Sequence, residues 1–132
     1  MERAPFVYIL ASGFRGTLYI GVTSDLMRRV HEHRCGIRSD FPARYAVYRL
    51  VHFEDFADMY TAIVREKQLK RWHRMWKINL IEAKNPHWED MAVPLGFEPL
   101  RERHRPPPGT LLIRHPELVS GSSLEARPAS GR

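Results

Sequence analysis

The 132-residue chain reads as an α+β domain of three short strands and three helices, followed by a disordered tail. Three observations predict this. Two apolar runs, Phe6–Ala11 and Thr17–Val22, flank a turn that contains glycine. Later stretches around 26–33, 59–73 and 74–84 place apolar side chains at helical spacing, and the stretch 46–56 alternates. Beyond Met91 the composition changes, with seven of the ten prolines and four of the eight glycines in residues 92–132.

Phe6–Ala11 is continuously apolar, which suits a strand covered on both faces. Ser12-Gly13-Phe14-Arg15-Gly16 supplies turn chemistry, so the two runs predict a hairpin. Pairing Ala11 with Gly16 would set Tyr8 opposite Tyr19 with both rings on one face, and a slip of one residue would part them. A helix follows. Thr23 or Ser24 caps it, Asp25 suits its first turn, Leu26, Val30 and His33 share a face, and Gly36 ends it. Residues 37–45 form a connector. The third strand covers about 46–56, with Val47, Val51 and Phe53 alternating against Tyr48 and Leu50. Asp55 or Asp58 caps the helix over 59–73. The last helix, 74–84, carries Met75, Trp76, Ile78, Leu80 and Ile81, and Asn85-Pro86 closes it, because proline pushes the preceding residue out of the helical region. The folded domain is therefore expected over 4–91. In the tail, 92–132, Arg105-Pro106-Pro107-Pro108-Gly109 continues neither a helix nor a central strand.

Composition is ordinary for a globular protein, 43% hydrophobic and 27% charged, and the net charge of +6 suggests a polyanionic partner. The single cysteine, Cys35, has no disulfide partner and no zinc-ligand spacing around it. It reads as a small buried or interfacial residue in a reducing compartment. There is no signal-like apolar region, and no apolar run approaches the ~20 residues needed to cross a bilayer, so a cytoplasmic location without a membrane partner is expected. Neither a glycine-rich phosphate loop nor a serine or cysteine nucleophile signature occurs.

Four groups of residues could carry chemistry. Glu66 lies three residues after Ile63 and three before Leu69, on or beside the apolar face of its helix. A carboxylate there is costly unless paired or metal-bound; the ordinary alternative is a rim glutamate paired with Lys70 at i+4. A basic run surrounds it, with Arg65, Lys67, Lys70, Arg71, Arg74 and Lys77, and His73, interleaved with Trp72 and Trp76. Cations neutralise phosphates and aromatics stack on bases, yet tryptophans at helical spacing usually pack in a core, and that placement is favoured here. Tyr8 and Tyr19 are ordinary strand residues taken singly. Arg29 and His33 are one helical turn apart and can face one spot, where a guanidinium could stabilise charge on a phosphate; Arg28 points elsewhere and reads as a surface phosphate contact.

Together these residues resemble the GIY-YIG nuclease family. Tyr19-Ile20-Gly21 stands intact, while Phe6-Val7-Tyr8 keeps only the tyrosine of the other half-motif. Arg29, eight positions after Gly21, matches the family's catalytic arginine. Glu66, in Arg65-Glu66-Lys67-Gln68-Leu69-Lys70-Arg71-Trp72, matches its metal-binding glutamate, and Asn85, in Asn85-Pro86-His87-Trp88, its late asparagine. The similarity spans residues 5–91 and is to the small stand-alone members. It implies a three-stranded antiparallel sheet flanked by helices, and one divalent ion, Mg²⁺ (or Mn²⁺), held by Glu66 and acting as a Lewis acid on the scissile phosphate. Tyr8 or Tyr19 would orient or deprotonate a water, with help from the metal, Arg29 or His33 because a free phenol ionises only near ~10. Arg29 would stabilise the pentacovalent phosphate, and Asn85 would position Glu66 or substrate. The implied activity is a metal-dependent DNA endonuclease, on branched or single-stranded DNA with RNA also open, in repair or recombination. The other reading is a non-catalytic nucleic-acid-binding module that keeps the fold, motivated by the basic, Trp-containing helices and the lack of a specificity domain.

Overall fold

The computed structural model describes residues 4–35, 46–100 and 118–119. In chain order it contains β1 (Phe6–Ala11), β2 (Leu18–Thr23), α1 (Leu26–Cys35), β3 (Arg49–Asp55), α2 (Met59–Arg71), α3 (Arg74–Lys84) and β4 (Leu118–Val119). The sheet order is β3-β1-β2-β4. β1 runs antiparallel to both neighbours, so the strand with the continuous apolar run is the central one. Val7 to Ala11 are all fully buried, which is what that run predicts. The architecture is the expected α+β one: a three-stranded antiparallel sheet with three helices. β4 adds a two-residue parallel edge to β2 at Tyr19 and Ile20, within the stretch expected to be without structure. The rest of that stretch beyond residue 100, and the connector over 37–45 with Gly36, lie outside the described residues.

The hairpin register differs from the expected one. Ala11 pairs with Leu18, not Gly16, and Tyr8 pairs with Gly21, not Tyr19. The shift is two residues, one full side-chain period, so the faces are unchanged. The turn is longer than assumed because Ser12 to Thr17 closes on itself: the Ser12 amide donates to the Thr17 carbonyl at 3.1 Å, and the Thr17 amide donates to Ser12 Oγ at 3.0 Å. β3 also departs from simple alternation. Between Ile9 and Leu10 the pairing jumps from His52 to Leu50, so Val51 is an extra residue, a β-bulge. Leu50 and Phe53 consequently pack on one face, with Val47 from the strand's approach, and Val51 on the other.

The sheet is the middle of three layers. On one face Val7, Ile9, Ala11, Leu18, Ile20 and Val51 pack with Ala62 and Leu69 of α2 and Ile78 and Ile81 of α3. On the other, Tyr8, Leu10, Tyr19 and Leu50 pack with Leu26 and Val30 of α1 and with Ala92. Asp25 starts α1, accepting from the Arg28 amide at 3.2 Å, while Thr23 Oγ1 holds the Asp25 amide at 3.0 Å. Asp58, not Asp55, caps α2 by accepting from the Thr61 amide at 2.8 Å, worth about 1 kcal/mol. Cys35 is exposed, not buried. No helix among the described residues is long and apolar enough to cross a membrane.

Polar ties hold the layers in register. The Glu82 carboxylate takes two hydrogen bonds from Arg15, at 2.7 and 2.8 Å, and one from buried Trp88 Nε1 at 2.7 Å. Arg74 Nη2 donates to the Arg15 and Gly16 carbonyls, both at 2.7 Å. These contacts bolt the β1–β2 turn to α3. Asn85 Nδ2 donates to the carbonyl of Val51, the bulge residue, at 3.2 Å and to that of Glu89 at 2.9 Å, and Asn85 Oδ1 accepts from the Glu89 amide at 2.9 Å. Residues past 91 stay tied to the domain. Asp90 Oδ1 accepts from the Leu50 amide at 3.2 Å, and Arg34 reaches Asp90 Oδ2 (2.6 Å), the Tyr48 carbonyl (3.3 Å) and the Glu98 carbonyl (3.1 Å). On the α2 side, Glu54 accepts from His52 at 2.8 Å and from Arg65 at 2.9 and 3.1 Å.

Two expectations follow. Asn85→Ala strands backbone groups at the bulge and the 85–89 turn, and should lower the unfolding free energy by roughly 1–3 kcal/mol in denaturant titration. Burial pushes the Glu54 carboxyl up, but hydrogen bonds from His52 and Arg65, with their charges, pull it further down, to about 2. A carboxyl depressed in the folded state stabilises the fold above its ordinary value of 4.5, and that contribution disappears as pH falls from 4.5 to about 2. The melting temperature of the wild type should therefore exceed that of Glu54→Gln at neutral pH and converge on it across this window; a constant gap would refute the assignment.

Candidate active site

The hairpin register creates the site. Tyr8, Leu10, Tyr19 and Gly21 share the face covered by α1, and Tyr8 sits directly across from Gly21. A Cβ on Gly21 would lie 2.5 Å from Tyr8 Oη and 2.6 Å from Cζ. The glycine is thus the space into which the Tyr8 ring folds. Tyr19, two residues earlier on β2, becomes the diagonal neighbour, with ring centroids 6.4 Å apart. α1 then delivers His33 onto both rings. Its centroid is 5.9 Å from that of Tyr8 and 5.3 Å from that of Tyr19, and Nε2 lies 3.1 Å from Tyr8 Oη. With its proton on Nδ1, His33 accepts the tyrosine O–H; with its proton on Nε2 the direction reverses. All three side chains are buried.

Arg29 precedes His33 by one turn of α1. Its Nε lies 3.3 Å from Glu32 Oε1, and its side chain, 25% exposed, is the open edge of the group. Glu66 approaches the hairpin from the other layer, on α2, which packs on β1 and β2. It falls between Ala62 and Leu69 on the buried stripe and is only 2% exposed. The i+4 pairing with Lys70 is present, Nζ to Oε2 at 2.9 Å, but in the interior and not at the rim. Lys77, also buried, donates to the Lys70 carbonyl at 3.5 Å. A carboxylate at this depth needs such compensation.

Other expected site residues are engaged elsewhere. Asn85 reaches the bulge of β3 and the Glu89 backbone, so its amide frames the sheet and does not hold Glu66. Of the six cations expected to touch phosphates, Lys70 is paired with Glu66, Lys77 is buried and Arg74 is tied to the hairpin turn, as described above. Lys67 and Arg71 are exposed, and Arg28 is exposed beside Glu32 at 3.1 Å. The i, i+3 pattern could not reveal this, because the acceptors of Arg74 lie 58 and 59 residues away. Trp76 is exposed, not in the core, and Trp72 only flanks the core. The role of Gly21 as the cradle for Tyr8 was missed although its tripeptide was visible.

A divalent ion is the group these residues would be expected to hold. Among the described residues no three His, Cys, Asp or Glu side chains converge, so no preformed cage exists. A magnesium-type ion commonly uses one or two carboxylates and completes its shell with water and substrate phosphate. Glu66, at present compensated by the cation of Lys70, fits that donor set and is the residue that would hold the ion.

The profile of the GIY-YIG catalytic domain matches residues 4–79, a span that contains Tyr8, Tyr19, Arg29, His33 and Glu66. Curated relatives include a UPF0213 protein of Haloquadratum walsbyi, 36% identical over 82 residues, covering 62% of this chain and 91% of the relative. A UPF0213 protein of Natronomonas pharaonis is 34% identical over 81 residues, covering 61% and 94%. One from Clostridium perfringens is 32% identical over 80 residues, covering 61% and 85%. No solved structure matches the chain.

Gly21→Ala forces a methyl group into the Tyr8 ring. The expected result is a folded protein destabilised by roughly 1–3 kcal/mol, with altered near-ultraviolet circular dichroism from the displaced tyrosine. Wild-type stability and spectrum in this variant would refute the close approach.

Proposed function

The chain belongs to the GIY-YIG catalytic domain family, a nuclease family whose substrate is nucleic acid, and on that premise we propose that it is a divalent-metal-dependent endonuclease hydrolysing phosphodiester bonds in DNA. The observation that carries the proposal is the contact of Tyr8 and Tyr19 with His33, one helical turn from Arg29. The geometry supports a division of roles. Tyr8 hands its phenolic proton toward His33 Nε2, so the phenolic oxygen can take a proton from an attacking water. Tyr19, in edge contact with His33, holds the imidazole in place. The partly exposed Arg29 guanidinium meets the phosphate and offsets the charge that grows on it. Glu66, in the layer across the sheet, would hold the divalent ion, which when bound would supply Lewis-acid polarisation of the phosphate. Asn85 keeps β3 and the end of α3 in place. A role in repair or recombination on branched or single-stranded DNA, and a cytoplasmic setting, are part of the same proposal.

One observation favours a second reading, a nucleic-acid-binding module without cleavage: Tyr8, Tyr19, His33 and Glu66 are all buried, and Glu66 already has a cation beside it. A single experiment separates the two. Purified protein is incubated with single-stranded, duplex and branched DNA, and with RNA, in Mg²⁺ or Mn²⁺. Cleavage is expected, and Glu66→Gln should lower kcat by roughly 10²–10³-fold, with Tyr8→Phe and Arg29→Ala also reduced. Binding without cleavage establishes the second reading; equal cleavage by Glu66→Gln removes Glu66 from the site.

A further inference from the structure

α2 and α3 present an aromatic surface that the proposed cleavage site does not use. Trp76 is 53% exposed and Met75 is exposed beside it. The reason is phase: Ile78 and Ile81 define the buried side of α3, and Trp76, two residues before Ile78, points away from it. Trp72 forms the inner wall. It packs against the core, and the Arg65 guanidinium sits over its ring at 5.1 Å from the centroid, so its plane is fixed. The two indoles meet edge to face, centroids 5.9 Å apart at 83°, and His73 lies edge-on to Trp76 at 5.1 Å. Trp72, Trp76, Asn79 and Leu80 line an open groove of about 360 Å³.

The surrounding charge says what fits there. Of the cations between Lys67 and Lys77, Lys70 is paired with Glu66, Lys77 is buried and Arg74 is tied to the hairpin turn, which leaves Lys67 and Arg71. Lys67 and Arg71 are exposed on the outside of α2. An aromatic groove beside a helix that carries exposed cations suits a polyanion with flat rings. The exposed Asn79 adds a side-chain amide that can donate to and accept from a base edge.

We propose that this groove is a stacking site for an unpaired nucleobase of a single-stranded or branched nucleic acid, with Lys67 and Arg71 meeting the flanking phosphates. The proposal rests on the nucleic-acid reading above, but not on cleavage. It would give this domain a preference for nucleic acid that exposes its bases, since a base inside a duplex cannot enter the groove.

The test uses the full chain, a labelled oligo-dT strand and a duplex of equal length. Trp88 is fully buried, so fluorescence quenching on addition of oligo-dT reports Trp72 and Trp76. Quenching is expected. Trp76→Ala, a truncation at an exposed position, should weaken oligo-dT binding roughly ten- to a hundredfold, leave duplex binding within about twofold, and be largely rescued by Trp76→Phe. Three results overturn the proposal: unchanged oligo-dT affinity in Trp76→Ala, an equal loss for single strand and duplex, or self-association in sedimentation that Trp76→Ala abolishes, which would make a second copy the occupant. DNA cleavage together with any of these leaves the nuclease proposal standing and removes the stacking site; failure to bind any nucleic acid removes both.

Discussion

The Tyr8 ring can lie across β2 only because residue 21 has no side chain. A Cβ there would be 2.5 Å from the phenolic oxygen, a separation no packed structure tolerates. The rest of the site depends on that close approach. It fixes the ring against the sheet, so that α1, seated by Leu26 and Val30 on the same face, brings His33 to the hydroxyl and Arg29 to the open edge. The central position of β1 makes the arrangement rigid, because the strand is buried on both sides and bonded to a neighbour on each.

Every charge in the site is balanced by a neighbour on its own helix, and the balances differ in strength. Arg29 faces Glu32 at i+3 at a partly exposed position, where such a pair contributes a few tenths of a kcal/mol. On the proposed function, a substrate phosphate would have only so weak a partner to displace. Glu66 faces Lys70 at i+4 in the interior, and separating a buried pair is costly. On the same reading, a cation held by Glu66 would have to compensate for the loss of that pair. On the proposed function, Arg29 would therefore be the easier of the two to engage, and Glu66 the harder.

The strands and helices were legible because each rests on a local period: the continuous run of β1, the i, i+4, i+7 face of α1, and the proline after Asn85. The hairpin register was not, because the Ser12–Thr17 contacts lengthen the turn beyond what glycine positions suggest. The error was harmless to the site since two residues is a whole period of the strand. Val51 escaped notice because an alternating pattern cannot announce an extra residue, and the asparagine that holds it is 34 residues away. In the site, Tyr8, Tyr19, Arg29 and Glu66 were legible as an ordered set across the chain, and His33 as the residue one turn from Arg29. What each basic side chain does was not, because it depends on carbonyls and carboxylates brought near by folding. Trp76 is the clearest case: helical spacing favoured the core, and the phase of α3 against Ile78 and Ile81 decided otherwise.

Arg34 stands at the end of α1, and its guanidinium reaches the Tyr48 carbonyl just before β3. The same guanidinium also holds Asp90 and the Glu98 carbonyl. One side chain thus joins the end of α1, the approach to β3 and the 90–98 segment into a single unit, so these three parts of the chain open together and not one at a time.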